Sequence, residues 1–568
     1  MLSFLITSAM EHSQFMDQKP TKLKLGIMCM PGGIPRWEKE CIDHLLATGL
    51  VELALIITDD PQNYPPRSLF KKVMSVGLNK AFFEGYIRTI YRPASCETLP
   101  YPEWYGTTPQ ISCIIEKKGK FSQYFKPADL ETIKSYNLDF ILRFGFNIIR
   151  GGILNVPKYG VWSFHHDNEM LYRGGPSGFW EIYKKDPETG SILQRITDKL
   201  DGGIILKKGI LRTKSYAYSK NIDQTYFESS KWPACVCKDI IAGNADYFNN
   251  QPTTTTAPIY KSPGNITFIK WSAIILANIL KKAWQRIFIW QQWNVIFLKT
   301  NINDFLKDTK VTGGITLPLK NKKSFNADCF GIKHEDGYVI FIEELDYSTN
   351  GLGVIKGFSL DGSGNILGEF YPEGFPDVHL SYPAITKINN KYYIIPESGE
   401  NGKVELFEAT DFPRKWKRAA VLMEGAHYVD PTLLERDGKF WLFYTKHGEG
   451  YDADLHLHVA YADRLEGPYK QHIGNPVKIS ARSARPAGNF FFSESGKLIR
   501  PAQNFSRTYG GSIVLNEVKV LTEDKYEEVE IKEINSPHPH YRDGMHNISI
   551  LSDDAILIDV KRHRFKYF

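Results

Sequence analysis

The sequence contains few cysteines, and these show no pairing pattern. Its 568 residues include seven cysteines, scattered without the spacing of a disulfide framework or of a zinc site. This distribution favours a reducing compartment, and we expect no metal site. The apolar run at residues 2–6 has no basic residue before it and is soon followed by Glu11, which argues against a secretory signal. A cytoplasmic protein is therefore expected.

The chain also lacks a large excess of charge and a long uncharged apolar run. Its formal net charge of +6 is small for this length, so charge gives no reason to expect a nucleic-acid partner. Lysines and an arginine interrupt the apolar, Trp-bearing segment 266–298, whose uncharged runs are too short to span a bilayer. Two interpretations stay open: a helix docked between domains, or an amphipathic helix at the inner face of a membrane.

The length of the chain is too great for a single ordinary core. A polar, Pro-flanked run of threonines at 252–258 reads as a linker. We therefore predict an α/β domain over 22–248, a linker with an apolar helical segment over 249–300, and an all-β domain over 301–568.

The first region has the pattern of an open α/β fold. Residues 23–58 read as strand, glycine turn, helix and buried strand, a βαβ unit that implies a parallel sheet. The apolar segments 138–146 and 160–164 predict two further strands. His165 therefore lies at the carboxyl end of a strand, where open α/β sheets bind their ligands.

Three motifs stand out in this region: Gly-Val-Trp-Ser-Phe-His at 160–165, Tyr-Arg-Gly-Gly-Pro at 172–176 and Leu-Asp-Gly-Gly at 200–203. Together they resemble the core of the folate-dependent formyltransferases, which include methionyl-tRNA and sugar N-formyltransferases. The resemblance covers roughly residues 22–213 and implies a formyl group carried by N10-formyltetrahydrofolate and delivered to an amine.

The resemblance also implies roles for individual residues. His165 would stabilise an oxyanion or move a proton, and Asp201 would orient its ring. The family usually has asparagine where this chain has Ser163, which retains a hydroxyl but lacks the paired donor and acceptor of an amide. Arg173 and Gly174 belong to the glycine turn expected to approach the substrate. For His166 and Asp167, substrate contact and solvent exposure remain equally open.

The second region repeats short β-rich segments at intervals of roughly 50 to 60 residues, a little longer than is usual for propeller blades. Each segment follows a short stretch called here an approach segment, and the five approach segments suggest a five-bladed β-propeller. They are residues 326–329, 381–384, 429–432, 484–487 and 543–546. If the approaches line a central channel, several charged side chains should lie there. These are Asp328, Glu397, Asp430, Arg485 and Arg500.

Residues 326–530 resemble the N-terminal domain of plant glucosamine inositolphosphorylceramide transferases, and more distantly the five-bladed propellers of furanosidase-type glycosidases. The resemblance rests on segments such as 429–432, 484–488 and 498–503. In the plant proteins glycosyl transfer is attributed to another domain. The channel residues leave three interpretations open: binding of a glycan or phosphoglycan, hydrolysis or transfer, and structural ion pairs.

Three hypotheses for function follow. The first is formyl transfer to the amine of an amino sugar, nucleotide- or lipid-linked, in glycan assembly, with the propeller holding the saccharide or its carrier. The second is a carbohydrate-binding protein with an altered formyltransferase domain. The third is a propeller glycosidase or glycosyltransferase.

Overall fold

The structure is a computed structural model, and it describes residues 22–60, 62, 78–119, 121–199, 202–309, 313–349, 351–448 and 454–566. Two compact units are present. Within the described ranges, the first contains residues 22–177, 191–208 and 225–265, and the second contains residues 178–190, 209–224 and 266–566.

The strands described up to residue 260 are two to nine residues long. They are β1 (Leu23–Cys29), β2 (Ile34–Pro35), β3 (Val51–Asp59), β4 (Thr98–Leu99), β5 (Gln110–Cys113), β6 (Glu116–Lys118), β7 (Ser122–Tyr124), β8 (Phe140–Arg143), β9 (Ile148–Arg150), β10 (Val161–His165), β11 (Arg173–Gly174), β12 (Glu188–Arg195), β13 (Ile204–Arg212) and β14 (Ile259–Tyr260).

A seven-stranded sheet has the order β13-β12-β10-β8-β1-β3-β5. The five strands from β10 to β5 pair in parallel, and β12 runs antiparallel to β10. Apolar side chains of β3, β8 and β10, among them Ile57, Ile141 and Val161, are fully buried in one cluster. The predicted βαβ unit and the mixed α/β sheet with parallel strands are confirmed.

Nine helices are described. They are α1 (Arg36–Ala47), α2 (Ala81–Thr89), α3 (Glu103–Thr107), α4 (Pro127–Ser135), α5 (Phe179–Lys184), α6 (Tyr218–Ser229), α7 (Trp232–Ala242), α8 (Asn265–Phe288) and α9 (Ile302–Lys307). In α1, Trp37, Cys41 and Leu45 lie four residues apart and form one buried face. In the part of the chain that the structure describes, no helix has the length and hydropathy needed to cross a membrane.

The predicted helical segment 266–298 contains two different elements. Helix α8 ends at Phe288, and the next ten residues form a β-strand, Ile289–Leu298. The prediction of a helix was wrong for these ten residues. This strand pairs over its whole length with the strand Ala555–Phe565 near the end of the chain, and no local pattern reports that pairing.

The rest of the chain is rich in β structure. Its strands are β15 (Ile289–Leu298), β16 (Ile315–Thr316), β17 (Ser324–His334), β18 (Gly337–Asp346), β19 (Gly353–Leu360), β20 (Ile366–Phe370), β21 (Ser381–Ile388), β22 (Lys391–Glu397), β23 (Lys403–Asp411), β24 (Lys415–Glu424), β25 (His427–Arg436), β26 (Lys439–His447), β27 (His456–Ala462), β28 (Lys470–Gln471), β29 (Lys478–Ile479), β30 (Phe491–Phe492), β31 (Leu498–Asn504), β32 (Ser512–Leu521), β33 (Tyr526–Asn535), β34 (Ile548–Ser552) and β35 (Ala555–Phe565).

These strands form five antiparallel sheets. Four sheets follow chain order, β17 to β20, β21 to β24, β25 to β28 with β29 added, and β30 to β33. The fifth joins the first and last strands of the region in the order β16-β15-β35-β34. Hydrophobic clusters contain residues of successive sheets, and one further cluster contains residues of the β30–β33 sheet and of the fifth sheet.

Candidate functional site

A cleft of about 150 Å³ lies at the carboxyl ends of β8 and β10. Parallel pairing places Arg143 of β8 in register with Ser163 of β10, and His165 follows two residues later on the same face of its strand. The cleft has 13 described lining residues. They are Arg143, Ile148, Ile149, Arg150, Ser163, Phe164, His165, Gln194, Ile196, Thr197, Lys199, Gly202 and Gly203.

Arg143 is the main feature of this cleft that sequence analysis missed. Its Nη2 and Nε donate to the Oγ of Ser163 at 2.8 and 3.2 Å, and its Nη1 donates to the carbonyls of Phe146 and Asn147. Burial lowers the pKa of Arg143 to about 10, which leaves it charged at neutral pH. A guanidinium and a hydroxyl therefore share the cleft with His165, and the hydroxyl is that of Ser163, which the resemblance aligns with an asparagine.

His165 is held by the main chain. Its Nε2 lies 3.1 Å from the carbonyl oxygen of Tyr172. A carbonyl can only accept, so this hydrogen bond requires the hydrogen on Nε2 and leaves the lone pair on Nδ1. The carbonyl of Tyr172 thus orients the ring, a role that the resemblance gave to Asp201, and Nδ1 of His165 is left able to accept a proton.

The predicted partner Asp201 lies outside the described residues. Gly202, which follows it in the sequence, lines the cleft with Gly203. Among the described lining residues, Arg143, Arg150 and Lys199 carry positive charge and none is acidic. The described cleft therefore favours an anionic ligand.

His166 belongs to the core. Its ring lies 4.0 Å from that of Tyr226 and stacks on Phe164, and its Nδ1 is 3.2 Å from the Oγ of Ser191. Burial, with a smaller electrostatic contribution from the neighbouring His165, lowers the pKa of His166 to about 3. Asp167 is buried as well. Solvent exposure is therefore wrong for both residues, and His166 does not line the described cleft, so the expected substrate contact has no support there.

Arg173 and Gly174 form a short ribbon with Ile259 and Tyr260. Arg173 donates to the carbonyl of Ala257 at 3.2 Å. Gly174 has φ of 90°, and a Cβ there would lie 2.2 Å from the carbonyl oxygen of Tyr260. The close approach that requires glycine is made by the chain itself, not by a ligand as expected.

In the second unit, three approach segments share one irregularity. The pairing register shifts after Ala327 in β17, after Ser381 in β21 and after Val429 in β25. The residue that follows each shift point has positive φ. These residues are Asp328 at 50°, Tyr382 at 46° and Asp430 at 50°. Bulges of this kind redirect side chains, and all three side chains are buried.

Asp430 is the centre of a buried polar network. Arg485 donates to both of its oxygens at 2.5 and 3.2 Å, and Gln503 donates to Oδ2 at 2.7 Å. The backbone N–H of Asp430 donates to Glu397 at 2.9 Å, and Arg485 also bonds Asp454 at 3.0 Å. Burial and the nearby charge of Asp430 raise the pKa of Glu397. The structure therefore brings Glu397, Asp430 and Arg485 together, and their lining of a central channel stays a prediction.

Asp328 lies near the same network, since the charge of Asp430 acts on it, and it contacts His546. The imidazole Nε2 lies 3.5 Å from Asp328 Oδ1, and Nδ1 lies 2.5 Å from Asp559 Oδ2. Burial, with the charges of Asp430 and Asp559, raises the pKa of Asp328 to about 7. For His546, burial opposes the charge of Asp559, which outweighs it and raises the pKa. The three residues offer ligand atoms within 4.8 Å of one another, so the expectation of no metal stays a prediction.

Arg500 lies in a separate buried ion pair. It donates to both oxygens of Glu528 at 2.8 and 2.7 Å, and to the carbonyls of Ser483 and Ala484. The charges of Arg500 and Lys478 outweigh burial and lower the pKa of Glu528 to about 2. Internal carboxylates thus pair both predicted arginines, which favours the interpretation of structural ion pairs for Arg485 and Arg500.

The second unit contains an opening lined mainly by aromatic side chains. It has a volume of about 620 Å³ and is called here the aromatic pocket. Its lining consists of Ile289, Trp290, Gln291, Trp293, Lys323, Phe325, Tyr347, Tyr509 and Lys566. The ring of Trp293 stacks on that of His546, with 3.9 Å between the ring centroids, and Cζ of Arg485 lies 5.3 Å from the centre of the Tyr509 ring. The aromatic pocket therefore adjoins the network of Asp328 and Asp430.

Comparisons with known proteins divide between the two halves of the chain. Residues 317–544 match the family described as Glucosamine inositolphosphorylceramide transferase 1, N-terminal. The protein Glucosamine inositolphosphorylceramide transferase 1 of Oryza sativa subsp. indica is 34% identical over 215 residues, or 37% of this chain and 28% of that protein. The chain therefore spans little more than a quarter of the plant relative. The predicted resemblance of the second half is confirmed.

The N-terminal part is similar to formyltransferases. Methionyl-tRNA formyltransferase of Agathobacter rectalis is 28% identical over 149 residues, or 26% of this chain and 47% of that enzyme.

Among solved structures, a family 117 glycoside hydrolase of Zobellia galactanivorans aligns with 49% of this chain and 90% of the hydrolase chain, at 14% identity and a TM-score of 0.32. The sequence relatives of the N-terminal part and of the second half are both named as transferases.

Proposed function

We propose that this protein transfers a formyl group from N10-formyltetrahydrofolate to the amine of an amino sugar in glycan assembly. The observation that carries the proposal is the convergence of Arg143, Ser163 and His165 in one cleft at the carboxyl ends of parallel strands. The similarity to formyltransferases supports the type of reaction.

The residues of the cleft suit the two demands of this reaction. An attacking amine must lose a proton, and Nδ1 of His165 carries the lone pair that can take it. The formyl oxygen gains negative charge, and the guanidinium of Arg143 with the hydroxyl of Ser163 offers donors to it. These two residues would then perform the work for which the family usually uses asparagine.

The described cleft fits the charge of the formyl donor. The folate supplies the formyl group and carries carboxylates, and three cationic side chains without an acidic one line the cleft. A volume of about 150 Å³ suits the reacting groups rather than the whole donor.

For the second unit we propose a five-bladed propeller that holds the saccharide or its carrier. Support comes from the five antiparallel sheets, whose first and last strands pair in one sheet. Aromatic faces such as Trp290 and Tyr347 suit sugar rings, and Lys323 and Lys566 suit a phosphate or carboxylate.

The test is formylation by the purified full chain. N10-formyltetrahydrofolate is supplied with a panel of free, nucleotide-linked and lipid-linked amino sugars, and product is detected by mass spectrometry. We expect a formamide with at least one acceptor and its loss in His165→Ala, while His44→Ala, an exposed change on α1, retains activity. Absence of both reduced-folate binding and formylation across the panel would refute the proposal.

The second candidate is a carbohydrate-binding protein whose formyltransferase domain is altered, and the aromatic pocket favours it. Saccharide binding would then survive His165→Ala while no acceptor is formylated. The glycosidase or glycosyltransferase alternative depends on Asp328 and Asp430, but Asp430 is already held by Arg485 and Gln503. Turnover that persists after loss of both carboxylates would exclude it.

A further inference from the structure

Helix α8 has one face that packs against other residues of its unit and one face that is exposed to solvent. One face is covered within the second unit: Trp271 is buried against Phe179 at 4.9 Å and Tyr218 at 5.3 Å. Asn278 donates to the carbonyl of Ser215 at 3.2 Å, and Lys282 lies 3.5 Å from the ring centre of Tyr216. Residues 271, 278 and 282 are spaced by seven and four, so they lie along one side of the helix.

The opposite side carries large apolar side chains in the open. Their spacings of three, four and seven residues also follow one face of a helix. Each is between 51% and 73% exposed, and together they are called here the exposed stripe: Ile266, Ile269, Leu276, Leu280, Trp284 and Ile287. A folded protein seldom leaves a continuous apolar stripe of this length in water without a partner for it.

The charge of α8 indicates what kind of partner the exposed stripe binds. Its 24 residues contain Lys270, Lys281, Lys282 and Arg286 but no aspartate or glutamate. On a helical projection at 100° per residue, Lys270 and Lys281 border one side of the stripe and Arg286 the other. Lys566, whose Nζ donates to the carbonyl of Arg286 at 2.6 Å, adds positive charge at the end of the helix.

We infer that α8 binds the surface of an anionic membrane, with its exposed stripe in the outer acyl region and its flanking basic groups at the level of the lipid phosphates. An apolar face with basic borders and no acidic residue is the pattern of helices that lie in the membrane interface. The lysine and arginine stems reach outward while their charges stay in contact with the headgroups. The sequence left docking and membrane contact as alternatives, and this helix supplies a separate face for each.

The test uses the full chain and vesicles of phosphatidylcholine, alone or mixed with phosphatidylserine. We expect co-sedimentation with the mixed vesicles, weakened by salt. Leu280→Glu should lower that binding by roughly tenfold or more, because one leucine no longer enters the apolar region. Gln285→Glu adds the same charge to the same helix outside the stripe and should retain most binding. Lys281→Gln should lower binding to the mixed vesicles by about fivefold and leave neutral vesicles unaffected.

Circular dichroism and thermal unfolding of each variant establish that the fold is intact. The inference is overturned if the wild-type chain binds neither kind of vesicle, or if Leu280→Glu binds as well as the wild type. A concentration-dependent dimer that Leu280→Glu abolishes, without vesicle binding, would assign the stripe to a second copy instead. Quenching of tryptophan fluorescence by brominated lipids, reduced in Trp284→Phe, would support insertion of the stripe. None of these outcomes depends on formyl transfer.

Discussion

The guanidinium of Arg143 donates a 2.8 Å hydrogen bond to the hydroxyl of Ser163 across two adjacent parallel strands. The two residues are 20 positions apart in the chain and come together because β8 and β10 are neighbours in the sheet. This hydrogen bond changes the chemical role that we assign to Ser163. Its hydroxyl is part of a cationic donor group, not a lone replacement for an amide.

The first prediction concerns this pair. Arg143→Met should lower kcat of formyl transfer by about 100- to 1000-fold, the usual effect of removing a donor to a developing oxyanion. Arg92→Met, an exposed change in the same unit, should have little effect. Steady-state kinetics with a productive acceptor, accompanied by a thermal unfolding curve, measure both. An unchanged kcat in folded Arg143→Met would remove Arg143 from the reaction.

The second prediction concerns pH and His166, whose pKa of about 3 in the folded state lies below the ordinary value of 6.5. Between these values the unfolded chain binds a proton that the folded chain does not, so stability is full above 6.5 and falls as the pH drops. The contribution is about 1.4 kcal/mol per pH unit. Urea titrations across this range should show a shallower pH dependence in His166→Phe. His44→Phe, at an exposed site, should keep the wild-type slope.

The third prediction concerns the ion pair of Asp430 and Arg485. Arg485→Met should lower the free energy of unfolding by about 3 to 5 kcal/mol, because it leaves a buried carboxylate without its cation. The double change Asp430→Leu with Arg485→Met should recover much of that loss. Arg418→Met breaks the more exposed pair with Glu405 and should cost far less. Chemical denaturation followed by fluorescence compares the four proteins.

The fourth prediction concerns the aromatic pocket. Trp290→Ala and Tyr347→Ala should each weaken binding of an amino-sugar ligand by about tenfold, since each removes an aromatic face. Lys566→Gln should weaken binding of phosphorylated or carboxylated ligands only. Phe492→Ala, an exposed aromatic outside the pocket, is the control. Calorimetric titration measures the affinity of each variant for these ligands. Equal affinities in all variants would show that saccharide binds outside the aromatic pocket.

Much of the fold followed from local pattern. The apolar segment 138–146, predicted as a strand, contains Phe140–Arg143, and the predicted strand 160–164 overlaps Val161–His165. Alternation of apolar residues and turn residues at the ends carry this information locally. The local pattern predicts helix for Ile289–Leu298, because the partner of this strand lies more than 250 residues away. Long-range pairing of that kind leaves no signature in the segment itself.

The candidate sites were predictable only in part. Ser163 and His165 line one cleft as the motifs implied, but Asp201 lies outside the described residues and its role stays a prediction, as does the cytoplasmic location. A charged residue in an apolar strand, Arg143 at the end of Phe140–Arg143, was the available signal for the missed donor. The sequence predicts Arg500 as a candidate ligand-binding residue, because its partner Glu528 lies on another strand and the local pattern does not reveal their ion pair.

The sequence by itself determined the order of elements, the parallel sheet and the β-rich second half, because apolar periodicity and turn residues act over a few neighbours. It also determined that α8 carries basic residues and no acidic ones. Only the tertiary structure decided which charges are neutralised internally, which face of α8 is covered and which side chains share a pocket. Those outcomes depend on contacts between residues far apart in the chain, and burial turns each of them into a large electrostatic or hydrophobic effect.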